Sequence, residues 1–320
     1  MKGLLKSKSP GSQLLLLVGI CIFSLFIFSL IGTIILAKIA GMKLTELSDM
    51  SKWDYSKPEI IFLIRGMQVV QFIGLFAIPV FVCARLFSTD TSKYLGFKKP
   101  SNNLYYVVAI AVMIVAIPLV NWLGELNKNV QFPDNIEGWM KRSEEEASKT
   151  VNALLSKRTI KDLLINVICI AGLAAVGEEL LFRGMVQRLF IKIFRTPWPG
   201  IIITALLFSA MHMQFYGFLP RFALGILLGA IYWYSGSLWT AILAHFVYDA
   251  LVILLVYFNP EMLKEGNSTP AATNIVLIGS ISFVMVVLLI EWMRKKTTTS
   301  YVEVYADDDK PIKDHPFDFE

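Results

Sequence analysis

Several polar residues stand where a polar side chain is expensive. Glu178, Glu179 and Arg183 share one apolar run, His212 lies in the next, and His245 with Asp249 lies in a third. A charge at the centre of a bilayer costs a few kcal/mol on insertion scales, so such residues face a cavity or a partner. Helical spacing sorts them. Glu179 and Arg183 are i,i+4 and share a face, which allows an ion pair, and Gln187 continues that stripe. Glu178 is turned about 100° from Glu179, which leaves one carboxylate neutralised and the other free to act. His245 and Asp249 are again i,i+4, and Phe208 stands one turn before His212. The remaining histidine, His315, lies in the C-terminal tail.

A carboxylate beside an imidazole can hold and deprotonate a water. Glu178, His212 and His245 could instead hold a divalent metal such as zinc with one open position, lowering the pKa of its bound water. Both routes produce a nucleophile suited to hydrolysis of a peptide bond, with a second group needed for the oxyanion. No Ser or Cys sits in an activation motif nearby, which disfavours a covalent nucleophile. Each feature alone has a plainer reading. A single intramembrane His can be an interhelical hydrogen-bond donor, Glu179–Arg183 a structural pair, and His245–Asp249 a local polar pair. Their occurrence together in adjacent apolar runs favours one shared site.

The elements that must position these residues are membrane helices. Of the 320 residues, 55% are hydrophobic and only 17% charged, with a mean hydropathy of +0.59; a soluble domain carries about a quarter charged residues. This excludes a water-soluble enzyme, a disordered chain and a nucleic-acid binder with a basic face. The fold class is all-α and polytopic. A crossing needs roughly 20 apolar residues, which places about eight spans at 14–37, 60–86, 104–124, 162–188, 199–214, 218–235, 238–258 and 273–293. The fifth and sixth are short. The run near Leu14–Ala37 is too long for a signal-peptide core and reads as a retained first span.

Lys and Arg gather in the segments that are inner if the N-terminus is cytoplasmic, for example Lys93, Lys98 and Lys99, then Arg188, Lys192 and Arg195, then Arg294, Lys295 and Lys296. That bias predicts an integral multi-pass protein with both termini cytoplasmic. Cys21, Cys83 and Cys169 have no metal or disulfide spacing. The organisation expected is an N-terminal three-helix membrane region (1–124), an extramembrane amphipathic segment (125–161), a catalytic membrane domain (162–293) and a disordered cytoplasmic tail (294–320). Gly225 and Gly229 form a GxxxG pair on the sixth span, which predicts close helix packing. Arg65, Gln68 and Gln71 lie on roughly one side of the second span. Convergence does not follow from depth. At about 1.5 Å rise per residue, Glu178 lies about 15 Å, His212 about 20 Å and His245 about 10 Å from the inner end of its span.

The stretch Gly177-Glu178-Glu179-Leu180-Leu181-Phe182-Arg183-Gly184 resembles the EExxxR motif of the CPBP (Abi) intramembrane proteases, a family that includes the type II CAAX prenyl endopeptidases. Phe208-Ser209-Ala210-Met211-His212 resembles its FxxxH motif. The segment Gly236-Ser237-Leu238-Trp239, leading to His245-Phe246-Val247-Tyr248-Asp249, resembles its third motif, HxxxN or HxxxD. The ordered set spans about 100 residues, from roughly 160 to 258. The resemblance implies an eight-helix intramembrane endopeptidase whose cavity opens to the cytosol. It implies Glu178 as the water-activating base with His212 beside it, Glu179 and Arg183 as support, and His245 with residue 249 at the oxyanion. Members have been described both as metal-dependent and as a metal-free glutamate type. The eukaryotic CAAX branch carries Asn where this chain has Asp249, and an ionised Asp only accepts hydrogen bonds. Asp249 is then protonated, orients His245, or ligates a metal.

The partners expected are membrane lipid and a membrane-associated protein or peptide substrate, with no nucleic acid. Two rival readings use the same residues. One is a non-catalytic scaffold or bacteriocin-immunity-type protein of this fold. The other is a transporter, which the lack of a matching polar cluster in the N-terminal half argues against.

Overall fold

Backbone polar groups in lipid must be satisfied within the segment itself, which leaves helices as the open-chain solution. The computed structural model describes residues 2–47, 53–130, 132–263 and 272–306, and no strand occurs among them. The principal helices are α1 (Pro10–Ala40), α2 (Pro58–Phe87), α3 (Leu104–Lys128), α4 (Asp134–Ser156), α5 (Ile160–Phe194), α6 (Pro197–Met211), α7 (Phe218–Ser235), α8 (Leu238–Phe258), α9 (Ala272–Lys296) and α10 (Tyr301–Tyr305). Among the described residues, seven segments are long and apolar enough to cross a membrane, and α6 is a shorter apolar eighth. The chain is an integral, multi-pass, all-α membrane protein.

Several boundaries differ from expectation for local reasons. The fourth span is longer than 162–188. Thr159 caps its start by accepting from the Asp162 N–H at 3.0 Å, and it runs on to Phe194, where Arg195 turns left-handed at φ 58°. The fifth span ends at Met211 rather than 214. His212 is its C-cap and Met213 leaves the helix at φ 54°. The third continues past 124 to Lys128, broken at Ala116 just before Pro118. Ser282 of α9 repairs that break, accepting from the Leu119 N–H at 3.2 Å and donating to the Val115 carbonyl.

α5 is the hub, packed against α2 on one side and α8 on the other, while α6 lies between α5 and α7. One core cluster joins Leu17, Val80, Cys83, Met185, Leu189 and Phe208. A second joins Tyr105, Val112, Met113, Ile231 and Met293. Lipid is as apolar as these side chains, so close packing rather than water exclusion holds them. The GxxxG pair behaves as expected. A Cβ on Gly225 would stand 3.0 Å from Ala205 Cβ, and one on Gly229 would stand 2.7 Å from Gln187 Oε1. α4 is amphipathic and buries Met140 and Leu154. Its C-terminal part packs on Ile60, Ile61 and Ile64 of α2.

The disordered tail expected from residue 294 is a correction in its first part. α9 continues to Lys296, and α10 docks onto the bundle with Tyr305 buried. The Tyr305 hydroxyl donates to the Arg188 carbonyl at 2.6 Å. The Arg188 guanidinium lies 4.4 Å from the Tyr94 ring and 4.7 Å from the Tyr305 ring. Low apolar content hid this segment, because its hold combines the aromatic and cationic contacts of Arg188 with the packing of Tyr301, Val304 and Tyr305 on the second core cluster. The acidic run Asp307–Asp309, His315, Phe317 and Phe319 lie outside the described residues.

Candidate active site

Three separate helices bring the polar residues together. Glu178, Glu179 and Arg183 project from the middle of α5, His212 from the end of α6, and His245 with Asp249 from the middle of α8. α5 carries π-helical stretches on both sides of the acidic pair, at Val167–Gly172 and Phe182–Gln187. Such insertions rotate the helix face and recur at functional sites.

The buried layer is an ion-pair network. Arg183 Nη1 lies 2.7 Å from Glu179 Oε1, with both side chains almost wholly enclosed. Arg183 Nη2 donates to the Gly225 carbonyl at 3.1 Å, and Gln187 Nε2 donates to the Gly229 carbonyl at 3.0 Å. The two glycines thus serve twice. They let α7 approach, and their carbonyls receive the α5 stripe. The Arg183 guanidinium also rests 4.8 Å from the Phe208 ring. Glu179 Oε1 accepts a second bond, from His245 Nδ1 at 2.9 Å. One carboxylate oxygen therefore ties α5 to α8 and neutralises Arg183.

Above this layer sits the more exposed set. His212 Nε2 is 3.9 Å from Glu178 Oε1, and His245 Nε2 is 3.9 Å from Glu178 Oε2. Asp249 Oδ2 is 3.4 Å from His245 Nε2. The backbone carbonyl of Phe208 only accepts, so its 2.8 Å contact with His212 Nδ1 puts the proton on Nδ1. That tautomer leaves the Nε2 lone pair facing Glu178. A gap of 3.9 Å is too long for a direct hydrogen bond. Two bonds of about 2.8 Å meeting near a right angle span about 4 Å, so one water fits between the acid and the imidazole.

A cavity of ≈ 340 Å³ opens beside this pair. Its walls include Glu178 and His212, and also Gln68, Gln71 and Cys169. The turn that presents His212 is fixed from three directions. Asn127 of α3 donates to the Phe215 carbonyl at 2.7 Å and accepts from the Leu219 N–H at 2.8 Å. Ser209 Oγ donates to the Phe218 carbonyl at 2.7 Å. Arg221 grips Gln214 through both its carbonyl and its side chain.

Glu178, His212, His245, Asp249, Glu179 and Arg183 are thus all gathered in one region. The stagger in depth is absorbed by the long α5, of 35 residues, and the short α6, of 15. Among the described residues, no group of three His, Cys, Asp or Glu side chains converges as a metal-ligand set. Arg65 is not part of the cluster. It pairs with Asp162 at 3.0 Å and with Asn166 at 2.9 Å, tying α2 to the start of α5. Sequence reasoning missed Asn127, whose only signal is a buried amide near a helix end.

Comparison with known proteins points the same way. Residues 160–251, under a third of the chain, match the family model described as type II CAAX prenyl endopeptidase Rce1-like. The chain is 26% identical over 162 residues to the uncharacterised protein YpbD of Bacillus subtilis (strain 168), covering 49% of this chain and 70% of that one. It is 31% identical over 112 residues to an uncharacterised 24.3 kDa protein of Escherichia coli, covering 34% of this chain and 52% of that one. The chain therefore spans about half the length of the second relative. No solved structure matches. The α5-to-α8 segment that carries the cluster is therefore similar to the type II CAAX prenyl endopeptidase Rce1-like family over residues 160–251.

Proposed function

We propose that the chain is an intramembrane endopeptidase of the CPBP type that hydrolyses a peptide bond in a membrane-associated protein or peptide with an activated water. The observation that carries this is the placement of Glu178 between two imidazole Nε2 atoms at 3.9 Å, at the wall of a cavity. In this reading a water bridges Glu178 Oε1 and His212 Nε2. Glu178 takes a proton from it as its oxygen attacks the substrate carbonyl carbon. His245, protonated on both nitrogens, donates Nδ1–H to Glu179 and Nε2–H toward the developing oxyanion. Glu179 orients His245 through Nδ1, while Asp249 Oδ2, 3.4 Å from Nε2, supplies negative charge beside the imidazolium and yields that N–H to the oxyanion as it forms. The tetrahedral intermediate collapses as the C–N bond breaks, and Glu178 passes its proton to the leaving nitrogen. Glu179 and Arg183 hold the scaffold and do not touch the reacting atoms.

The test is a comparison of new protein N-termini in membranes of cells carrying wild type or Glu178→Ala. Cleavage products present only with wild type support the proposal. Identical N-termini, with both proteins folded and equally abundant, reject it in favour of a scaffold.

A further inference from the structure

The cavity wall facing Glu178 comes from α2, a helix outside the motif-bearing segment. Gln68 and Gln71 line it one turn apart, followed at once by a π-helical stretch, Phe72–Ala77. Gln68 Oε1 has no hydrogen-bond partner in the protein and is itself covered, so it reaches a ligand only when the side chain turns into the cavity that the residue lines. An unmet amide oxygen at membrane depth is costly. α2 is pressed against the acid. A Cβ on Gly177 would stand 2.7 Å from Phe76 and 3.0 Å from Phe72. Gln68, Phe72 and Phe76 follow one another at i,i+4, so Gln68 continues the stripe that abuts the residue before Glu178.

We propose that Gln68, with Gln71 beside it, binds the backbone of an extended peptide segment and lays the scissile bond along Glu178 and His212. This rests on the endopeptidase reading and adds the substrate's conformation to it. A primary amide offers one acceptor and two donors, the complement of a peptide unit. A helical substrate has its own N–H and C=O groups paired internally, whereas an extended one offers both. Neutral amides are indifferent to substrate charge, so recognition by this wall is tolerant of side-chain identity and demands a locally unwound strand.

The test uses purified full-length protein in detergent and a library of quenched fluorescent decapeptides, from which the best-cleaved member is carried forward. Gln68→Leu is expected to raise KM about tenfold, the loss of one hydrogen bond, with kcat within about twofold. N-methylation of the decapeptide, one backbone nitrogen at a time, is expected to find one position that costs wild type about tenfold and costs Gln68→Leu nothing further. Gln68→Glu, which keeps the acceptor, is expected to restore part of the KM. If Gln68→Leu does not fold, Gln68→Glu and Gln71→Leu with the N-methyl series carry the same comparison. An unchanged KM, or equal N-methyl penalties in wild type and variant, overturns the inference while leaving the endopeptidase standing. Absence of any cleavage that depends on Glu178 overturns the endopeptidase reading, and the inference with it.

Discussion

Arg183→Met removes the positive half of a buried pair while keeping most of the side-chain volume. The guanidinium it removes makes a 2.7 Å contact with Glu179 and a 3.1 Å bond to the Gly225 carbonyl. Glu179 is fully enclosed and would keep only His245 as a partner. Breaking one side of such a pair costs about 3–5 kcal/mol, because the other charge is left buried. The double variant Glu179→Gln/Arg183→Met should lose markedly less. Gln still offers an oxygen to His245 Nδ1, and no uncompensated charge remains. Reversible unfolding of purified protein in mixed detergent micelles measures both. A single variant within about 1 kcal/mol of wild type, or a double variant no better than the single, would refute the argument that this pair holds the site by charge compensation.

Other consequences follow from the same geometry. Cys169 lines the cavity, whereas Cys21 and Cys83 are buried. A charged thiol reagent should therefore modify Cys169 first and block turnover, and Cys169→Ala should resist; no labelling under native conditions would mean the cavity is closed to water. Gly229→Leu would drive a side chain into Gln187 and Ile201, where even a Cβ meets atoms at 2.7 and 2.9 Å. It should cost at least about 1–3 kcal/mol of stability, and a neutral result in the unfolding assay would contradict the close approach of α7. Tyr305→Ala removes a 2.6 Å bond to the Arg188 carbonyl and one ring from the Arg188 clamp. It should lower stability by about 1–3 kcal/mol and make α10 a site of rapid proteolysis; equal protease resistance would show that α10 is not docked by this contact.

The polar cluster was legible because membrane helices tolerate so few charges that each one is informative, and because i,i+4 spacing already paired Glu179 with Arg183. What spacing could not supply was convergence. A uniform ruler scattered Glu178, His212 and His245 in depth, since it assigned α5 too short a span and placed His212 inside α6 rather than at its end. The α2 wall was opaque for another reason. Gln68 and Gln71 are neutral, lie about a hundred residues from the motifs, and gain meaning only when Gly177 admits Phe72 and Phe76 beside Glu178. The docked α10 was hidden in a polar tail because its hold depends on Tyr94 and Arg188, far away in the chain.

The most direct measurement is turnover of a cleavable peptide by purified Glu178→Gln, a substitution that keeps the shape of the side chain and removes its basicity. The account predicts a loss of at least about a hundredfold in kcat, with unfolding unchanged from wild type. Turnover within a few-fold of wild type by folded Glu178→Gln would contradict it.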